Sequence, residues 1–339
     1  PPPYINETPT TEIYTGDTSS AASYVYKRQV LVVAFFGFGL FYGRGSHLTM
    51  ADYWRWFVVH LWVESIFEFF GIAVIALLMV AMGLATAKAA LRVAYFTAAI
   101  TFISGIIGTA HHYYWYGGAA FWVGWGSIFS SMEPVPLLTL VVRGLMEYRD
   151  IRKEGQAFSY KWPMYFLVAA SFWNFLGAGI FGFLINLPII NFYEHGTYLT
   201  MHHGHTAMFG TYGMLSVALL LFSWRGLVDK AHWKDGILKL SFWGLNGGLF
   251  LMAFGTLLPV GAMQAWISFK DGLWAARSAE FFESAPVVWL GTFRALPDTI
   301  IIVLGVLPLA YFLITTYPHL KAAKIEDGES VWERLGIEL

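Results

Sequence analysis

A short stretch of the chain, residues 200–206, contains three histidines within an otherwise apolar run: His202, His203 and His205. Imidazole is polar, so histidines grouped in a membrane-length apolar run point to a functional role such as metal ligation. His203 and His205 are two residues apart, which separates their side chains by about 200° around an α-helix. One helix can therefore present His203 to a centre on one side and His205 to a centre on the other.

Two further clusters have the residue types and spacing of metal ligands. His60 and Glu64 are separated by four residues, so on a helix they share one face and can bind a single ion. His111 and His112 are adjacent and supply two more imidazoles. Imidazole alone suits copper, zinc or iron, and a carboxylate oxygen shifts the preference toward iron. The four side chains are therefore predicted to bind one metal ion, and zinc would bind the same set.

The composition indicates a membrane protein. The chain has 339 residues, of which 57% are hydrophobic and only 13% charged, about half the charged fraction of a soluble domain. Runs of about 20 apolar residues recur, as expected for a helical protein that crosses the bilayer several times. The net charge is −1, and no basic stretch suggests a nucleic-acid partner. Cysteine is absent, so a metal must be held by His, Glu or Asp.

The apolar runs predict an all-α polytopic membrane protein, a bundle of about eight transmembrane helices. The predicted spans are 22–43, 52–84, 90–116, 119–147, 162–186, 196–226, 236–267 and 286–317. The fourth of them is predicted to be interrupted at residues 133–136, Glu-Pro-Val-Pro. Residues 1–21 are predicted to be a polar tail, 22–318 the transmembrane domain with the metal centres, and 319–339 a cytoplasmic C-terminal tail. The sequence begins with Pro1 rather than Met, and we expect a fragment or a processed chain.

The distribution of Lys and Arg predicts the orientation of the spans. These residues concentrate in alternate loops, which the positive-inside rule assigns to the cytoplasm. His60 then lies about 12 Å along a span that enters from the outside, at a rise of about 1.5 Å per residue. The pair His111–His112 and His203 lie at similar depths in their own spans. Three distant segments are thus expected to place imidazoles at one depth, in a shared site nearer the outer face.

The order His-x-x-x-Glu, His-His and His-x-His on three helices resembles the catalytic subunit of the heme-copper oxidase superfamily. The main respiratory oxidases have Tyr at the position of Glu64, and a glutamate there makes this sequence resemble the nitric oxide reductase branch. Further likeness lies in Glu68, in Glu133 of Met132-Glu133-Pro134, and in the stretch His60-Leu61-Trp62-Val63-Glu64-Ser65. The resemblance covers essentially the whole chain but only the C-terminal half of such a subunit. It implies a heme-copper oxidase-like fold whose N-terminal half, which supplies the other low-spin heme ligand, lies outside this sequence.

The resemblance implies that two nitric oxide molecules, two electrons and two protons become nitrous oxide and water at a high-spin heme b and a non-heme iron. Electrons would arrive through a low-spin heme b. The implied iron ligands are His60, His111, His112 and Glu64 for the non-heme iron, His203 for the high-spin heme, and His205 for the low-spin heme. Glu68 and Glu133 would tune the site or deliver protons. Calcium at the heme propionates and a location in the bacterial cytoplasmic membrane are further implications.

The electron donor is expected to be membrane quinol rather than cytochrome c. The reasons are overall similarity and Asp298 in the last span, because an acid at this place lies at the quinone pocket in the quinol-dependent group. The alternative for Asp298 is an internal interaction with Arg294 or Thr299.

Two other functions remain open at this point. An oxygen reductase would hold copper and need a tyrosine within reach, for which Tyr113 and Tyr114 are the candidates. A proton- or metal-coupled transporter would use the histidines and glutamates as a relay, without heme and with paired broken helices. Histidines directed to opposite faces of one helix favour the oxidoreductase.

Overall fold

The computed structural model describes residues 30, 32–132, 135–153 and 158–320. Regular structure in these residues is helical, apart from an isolated bridge between Val228 and Leu320. In chain order the main helices are α1 (Val32–Phe41), α2 (Leu48–Ala81), α3 (Ala87–Trp115), α4 (Ala120–Ser130), α5 (Val135–Lys153), α6 (Lys161–Asn186), α7 (Pro188–Glu194), α8 (Tyr198–Leu227), α9 (Asp235–Asp271) and α10 (Ala285–His319). Short helical turns lie at Lys230–His232, Ala275–Arg277 and Ala279–Phe282.

Within the described residues, six helices are long and apolar enough to cross a membrane, namely α2, α3, α6, α8, α9 and α10. In a helix the backbone groups form hydrogen bonds with one another, which is required in a bilayer because lipid tails offer no hydrogen-bond partners. The predicted all-α, multi-pass membrane protein is therefore confirmed.

The two other predicted spans take a different form. The first, 22–43, falls partly outside the described residues, at 22–29 and 31, and its described part contains the short helix α1. The fourth, 119–147, is two helices, α4 and α5, on either side of residues 133–134, which agrees with the predicted interruption at 133–136. Glu133, predicted to tune the site or deliver protons, lies outside the described residues, as do the tails 1–29 and 321–339. The domain boundaries at 21 and 318 stay predictions.

The core lies where α2, α6, α8 and α9 pack together. Its largest fully buried side chains include Phe166 and Trp173 on α6, Leu221 on α8 and Leu249 on α9. Small residues allow the helices to approach closely, as is typical in membranes. A Cβ on Gly177 of α6 would run into the backbone of α8. The core thus brings α6 and α8 into direct backbone proximity.

The helices that carry the predicted site residues depart from regular α geometry. There are π-helical stretches in α2 at Leu61–Phe67, in α6 at Asn174–Phe181 and in α8 at His205–Gly213, and α3 ends in a 3₁₀ helix at Gly108–Trp115. Helical segments of the π type are rare and occur often at functional sites. Such a stretch changes which residues share a face, so side chains here need not follow the regular helical spacing.

Candidate metal centre

Four of the predicted ligands converge in space. His60 and Glu64 come from α2, and His111 and His112 come from the 3₁₀ end of α3. One potential ligand atom of each lies within 4.8 Å of those of the others. Glu64 Oε2 lies 2.8 Å from His60 Nε2, while Glu64 Oε1 lies 3.6 Å from His111 Nε2 and 4.0 Å from His112 Nε2. The carboxylate therefore stands among three imidazole nitrogens.

Hydrogen bonds on the far sides of the rings determine how two of these imidazoles point. His60 Nδ1 donates to the Gly105 carbonyl at 3.0 Å, and His111 Nδ1 donates to Asn186 Oδ1. With the proton on Nδ1, each Nε2 keeps its lone pair and turns it toward the cluster. The ring of His112 is held differently, by stacking on Trp56 with 4.4 Å between ring centroids.

The donor set fits a divalent transition-metal ion. Among the described residues, His60 Nε2 and His111 Nε2 are buried without a hydrogen-bond partner. Glu64 is close to both atoms, but with the proton of each ring on Nδ1, Nε2 has no hydrogen to donate to the carboxylate. Buried polar atoms are rarely left in this state. Three imidazole nitrogens and one carboxylate would satisfy one another through a shared ion.

A second layer of polar groups positions the cluster, and the sequence analysis did not identify it. Ser130 Oγ donates to Glu64 Oε2 at 2.7 Å, and Asn186 Nδ2 donates to Ser130 Oγ at 3.3 Å. Asn186 thus supports both Glu64 and His111. The only sequence signal was an amide at the end of an apolar span, two residues before Pro188, which does not reveal its partner.

The helix α4 closes over the cluster through a glycine. A Cβ on Gly126 would run into the backbone of His111. Only a residue without a side chain lets α4 lie this close to the 3₁₀ end of α3. This close contact brings Ser127 and Ser130 of α4 beside Asn186 and Glu64.

A cavity of about 270 Å³ extends from the cluster toward α8. Its walls include the four clustered residues, Glu68 and His203. His203 Nδ1 donates to the Gly177 carbonyl at 2.8 Å, so its Nε2 keeps a free lone pair, as in His60. The cavity has room for several water-sized molecules. Sequence-distant imidazoles therefore line one small buried space.

His205 is directed away from this cavity, toward α10. Its Nδ1 lies 2.8 Å from the Met201 carbonyl, and its Nε2 lies 3.3 Å from Arg294 Nη2. Arg294 also forms an ion pair with Asp298, with 3.7 Å between Nε and Oδ2. His205 Nε2 thus accepts a hydrogen bond from Arg294 on α10, whereas the ring of His203 lines the cavity. Asp298 takes part in the internal interaction with Arg294, and its role at a quinol pocket stays a prediction.

The neighbouring His202 is packed among aromatic rings. It is fully buried, with its ring centroid 4.1 Å from that of Phe181 and 5.2 Å from that of Phe254. Neither ring nitrogen has a hydrogen-bond partner within the described part of the chain. His202 therefore packs against aromatic rings and does not belong to the wall of the cavity.

The tyrosines considered for an oxygen reductase make other contacts. Tyr113 Oη donates to the Tyr53 carbonyl at 3.3 Å, and the ring of Tyr114 packs on Phe192 at 5.7 Å. Neither belongs to the cavity wall described above.

A buried carboxyl group lies outside the membrane-spanning helices, at the end of α7. Burial raises the pKa of Glu194 to about 7, although the hydrogen bond from Thr200 and the charge of Arg277 act in the opposite direction. The Thr200 hydroxyl is 3.0 Å from Glu194 Oε2 and lies one turn before His203 on α8. A group that titrates near neutral pH therefore adjoins the helix that carries the central histidines.

Two comparisons with known proteins bear on this site. Residues 19–300 match the family described as Cytochrome C and Quinol oxidase polypeptide I. A nitric oxide reductase subunit of Stutzerimonas stutzeri is a relative that is 32% identical over 227 residues. The alignment covers 66% of this chain and 47% of that protein. The chain thus spans about half the length of the relative it matches.

Proposed function

Because the chain belongs to the cytochrome c and quinol oxidase polypeptide I family, we propose that it is the catalytic core of a nitric oxide reductase. The observation that carries the proposal is the half-buried carboxylate of Glu64 among the nitrogens of His60, His111 and His112. A carboxylate in this set favours iron over copper. The name of the relative from Stutzerimonas stutzeri, a nitric oxide reductase subunit, supports the same activity.

In this proposal the cavity is the reaction chamber. His60, Glu64, His111 and His112 hold a non-heme iron on one side, and His203 holds a high-spin heme b on the other. When bound, the two irons supply the electrons and the Lewis acidity for the reductive coupling of nitric oxide to nitrous oxide. The chain contributes the cavity between these two sets of residues, which would keep two small reactants close together.

The remaining residues have proposed roles in proton and electron supply. Glu68 in the cavity wall and Glu133 carry protons toward the reactants. His205 holds a low-spin heme b on the α10 side, and Asp298 contributes to a quinol site. Contact of Arg294 with both His205 and Asp298 supports a short link between these two groups. The assay for the proposed electron donor compares nitric oxide reduction with quinol and with reduced cytochrome c, and activity with quinol is expected.

The test is metal, heme and activity analysis of the protein purified from its native membranes. Two b-type hemes, one non-heme iron, no copper and conversion of nitric oxide to nitrous oxide are expected. Copper in place of the iron, with oxygen consumption, would make the protein an oxygen reductase. If the purified protein contained no heme, a proton- or metal-coupled transporter would be the remaining hypothesis.

Asn186→Ala is expected to weaken metal binding while the four ligands stay in place. The change removes the acceptor of His111 Nδ1 and the donor to Ser130, so His111 can rotate and Glu64 loses support. Loss of such a partner lowers metal affinity by about 10- to 100-fold. Iron content after dialysis against increasing chelator measures the effect.

A matched control is Asn246→Ala, because Asn246 Oδ1 also accepts from an aromatic ring nitrogen, Trp173 Nε1, at 2.8 Å. This pair joins α6 to α9 and does not contact the cluster. Equal iron retention in the two variants would show that Asn186 does not position His111.

A further inference from the structure

A second and larger hollow lies between α6 and α9, on the outer surface of the bundle. This groove has a volume of about 930 Å³. Its walls are mostly aromatic and include Phe172, Trp243 and Phe250, each with at least half of its surface exposed. Two lysines, Lys161 and Lys239, also belong to the wall. The groove is thus apolar along its length with positive charge as its main polar feature.

The two helices that form the groove run parallel and in register. Trp162 Nε1 donates to Asp235 Oδ1 at 2.7 Å, and Trp173 Nε1 donates to Asn246 Oδ1 at 2.8 Å. Both pairs have the same sequence separation, 73 residues. Equal separations along two helices require that both begin at the same face of the membrane. Lys161 and Lys239 therefore lie near one membrane face.

The length of the groove matches one leaflet. From Lys161 to Trp173 the helix rises about 18 Å. The hydrocarbon core of a bilayer is about 30 Å thick, so one leaflet contributes about 15 Å. The groove extends from the membrane surface to about the middle of the bilayer. A lipid of that leaflet has the right length to lie along it.

The charges at the surface end favour an anionic headgroup. Lys161 Nζ lies 5.3 Å from the Trp162 ring centroid, which holds its stem along the aromatic wall. Lys239 is exposed on the other side. The carboxylate at this end, Asp235, accepts from Trp162, and Lys234 adds a further positive charge next to it. Lysines at this depth extend their ammonium groups toward the headgroup region.

We propose that this groove is a binding site for an anionic phospholipid. Lys161 and Lys239 bind the phosphate, and an acyl chain lies along Trp243 and Phe250. The apolar walls fit the acyl chain of any phospholipid, and the positive charge at the mouth favours an anionic lipid over a zwitterionic one. The site is separate from the metal centre and does not depend on the proposed reaction.

The first test compares lipid binding to the complete protein by native mass spectrometry, with phosphatidylglycerol and phosphatidylcholine as probes. Phosphatidylglycerol is expected to bind selectively. The double variant Lys161→Gln/Lys239→Gln should lower its affinity about 25-fold, since each lysine near the surface contributes about five-fold. Lys234→Gln removes a charge at the same face but outside the groove wall, and should have a smaller effect. An equal loss in Lys234→Gln, or equal binding of both lipids by the natural protein, would overturn the proposal.

A second variant fills the groove without touching its charges. A Cβ on Gly247, which belongs to the groove wall, would meet open space. Gly247→Leu should therefore displace the lipid from a folded protein. Gly291→Leu on α10 is the matched control, because a Cβ there also meets open space. Equal phosphatidylglycerol binding by the two leucine variants would exclude this groove as the lipid site. A structure of the complete protein in which another segment of the protein covers the groove would also exclude it.

Discussion

Glu64→Ala is expected to lose the non-heme metal while both hemes remain. Among the clustered ligands Glu64 is the carboxylate, 2.8 Å from His60 Nε2. Its removal leaves three neutral imidazoles, which have less preference for iron, and it leaves the Ser130 hydroxyl without its acceptor. The loss of a direct ligand should exceed the roughly 100-fold upper range of second-layer changes. Nitric oxide turnover should fall to background with it.

Iron by elemental analysis, heme b by its reduced optical spectrum and nitrous oxide formation measure this outcome together. Glu283→Ala is a suitable control, because Glu283 is exposed and lies in the connection before α10. It should keep iron, heme and turnover. If Glu64→Ala kept its iron and its turnover, Glu64 would not be a ligand.

His203→Ala should lose the high-spin heme and all nitric oxide reduction, yet keep the low-spin heme. His205→Ala should lose the low-spin heme and keep the high-spin heme. The reason is geometric: His203 Nδ1 is anchored to Gly177 and the ring lines the cavity, whereas His205 Nε2 is directed to Arg294 on α10. His203 and His205 would therefore each hold a different heme iron. High-spin and low-spin signals in the electron paramagnetic resonance spectrum separate the two losses.

His202→Ala is the internal control for this pair. His202 packs between Phe181 and Phe254, so its removal should lower thermal stability but leave both heme signals. Loss of the high-spin signal in His202→Ala, with its retention in His203→Ala, would show that the ligand is the neighbouring histidine.

The fold class follows from the sequence because bilayer thickness sets the length of an apolar helix. Six predicted spans correspond to long apolar helices, with ends shifted by up to several residues. The fourth is predicted as one span with an interruption at 133–136, and the structure has separate helices α4 and α5 in its place. Hydropathy measures apolar length, but it does not report where one helix ends and the next begins.

The candidate ligands could be identified because their chemistry is local. His60 and Glu64 share a face through their spacing alone, and His111 and His112 are adjacent. Asn186 could not be identified in this way, because its partners His111 and Ser130 lie 75 and 56 residues away. The π-helical stretches were also invisible, since no residue type encodes them.

By itself, the sequence determined the residue types of the site, their approximate depth and the membrane-spanning class of the chain, because each depends on local spacing and apolar length. The tertiary structure decided which histidines face one cavity, how Asn186 orients His111, and that α6 and α9 form a groove with lysines at one end. These features depend on how helices distant in sequence pack and on their relative register. Packing at close range depends on many small contacts at once, and no single stretch of sequence contains them.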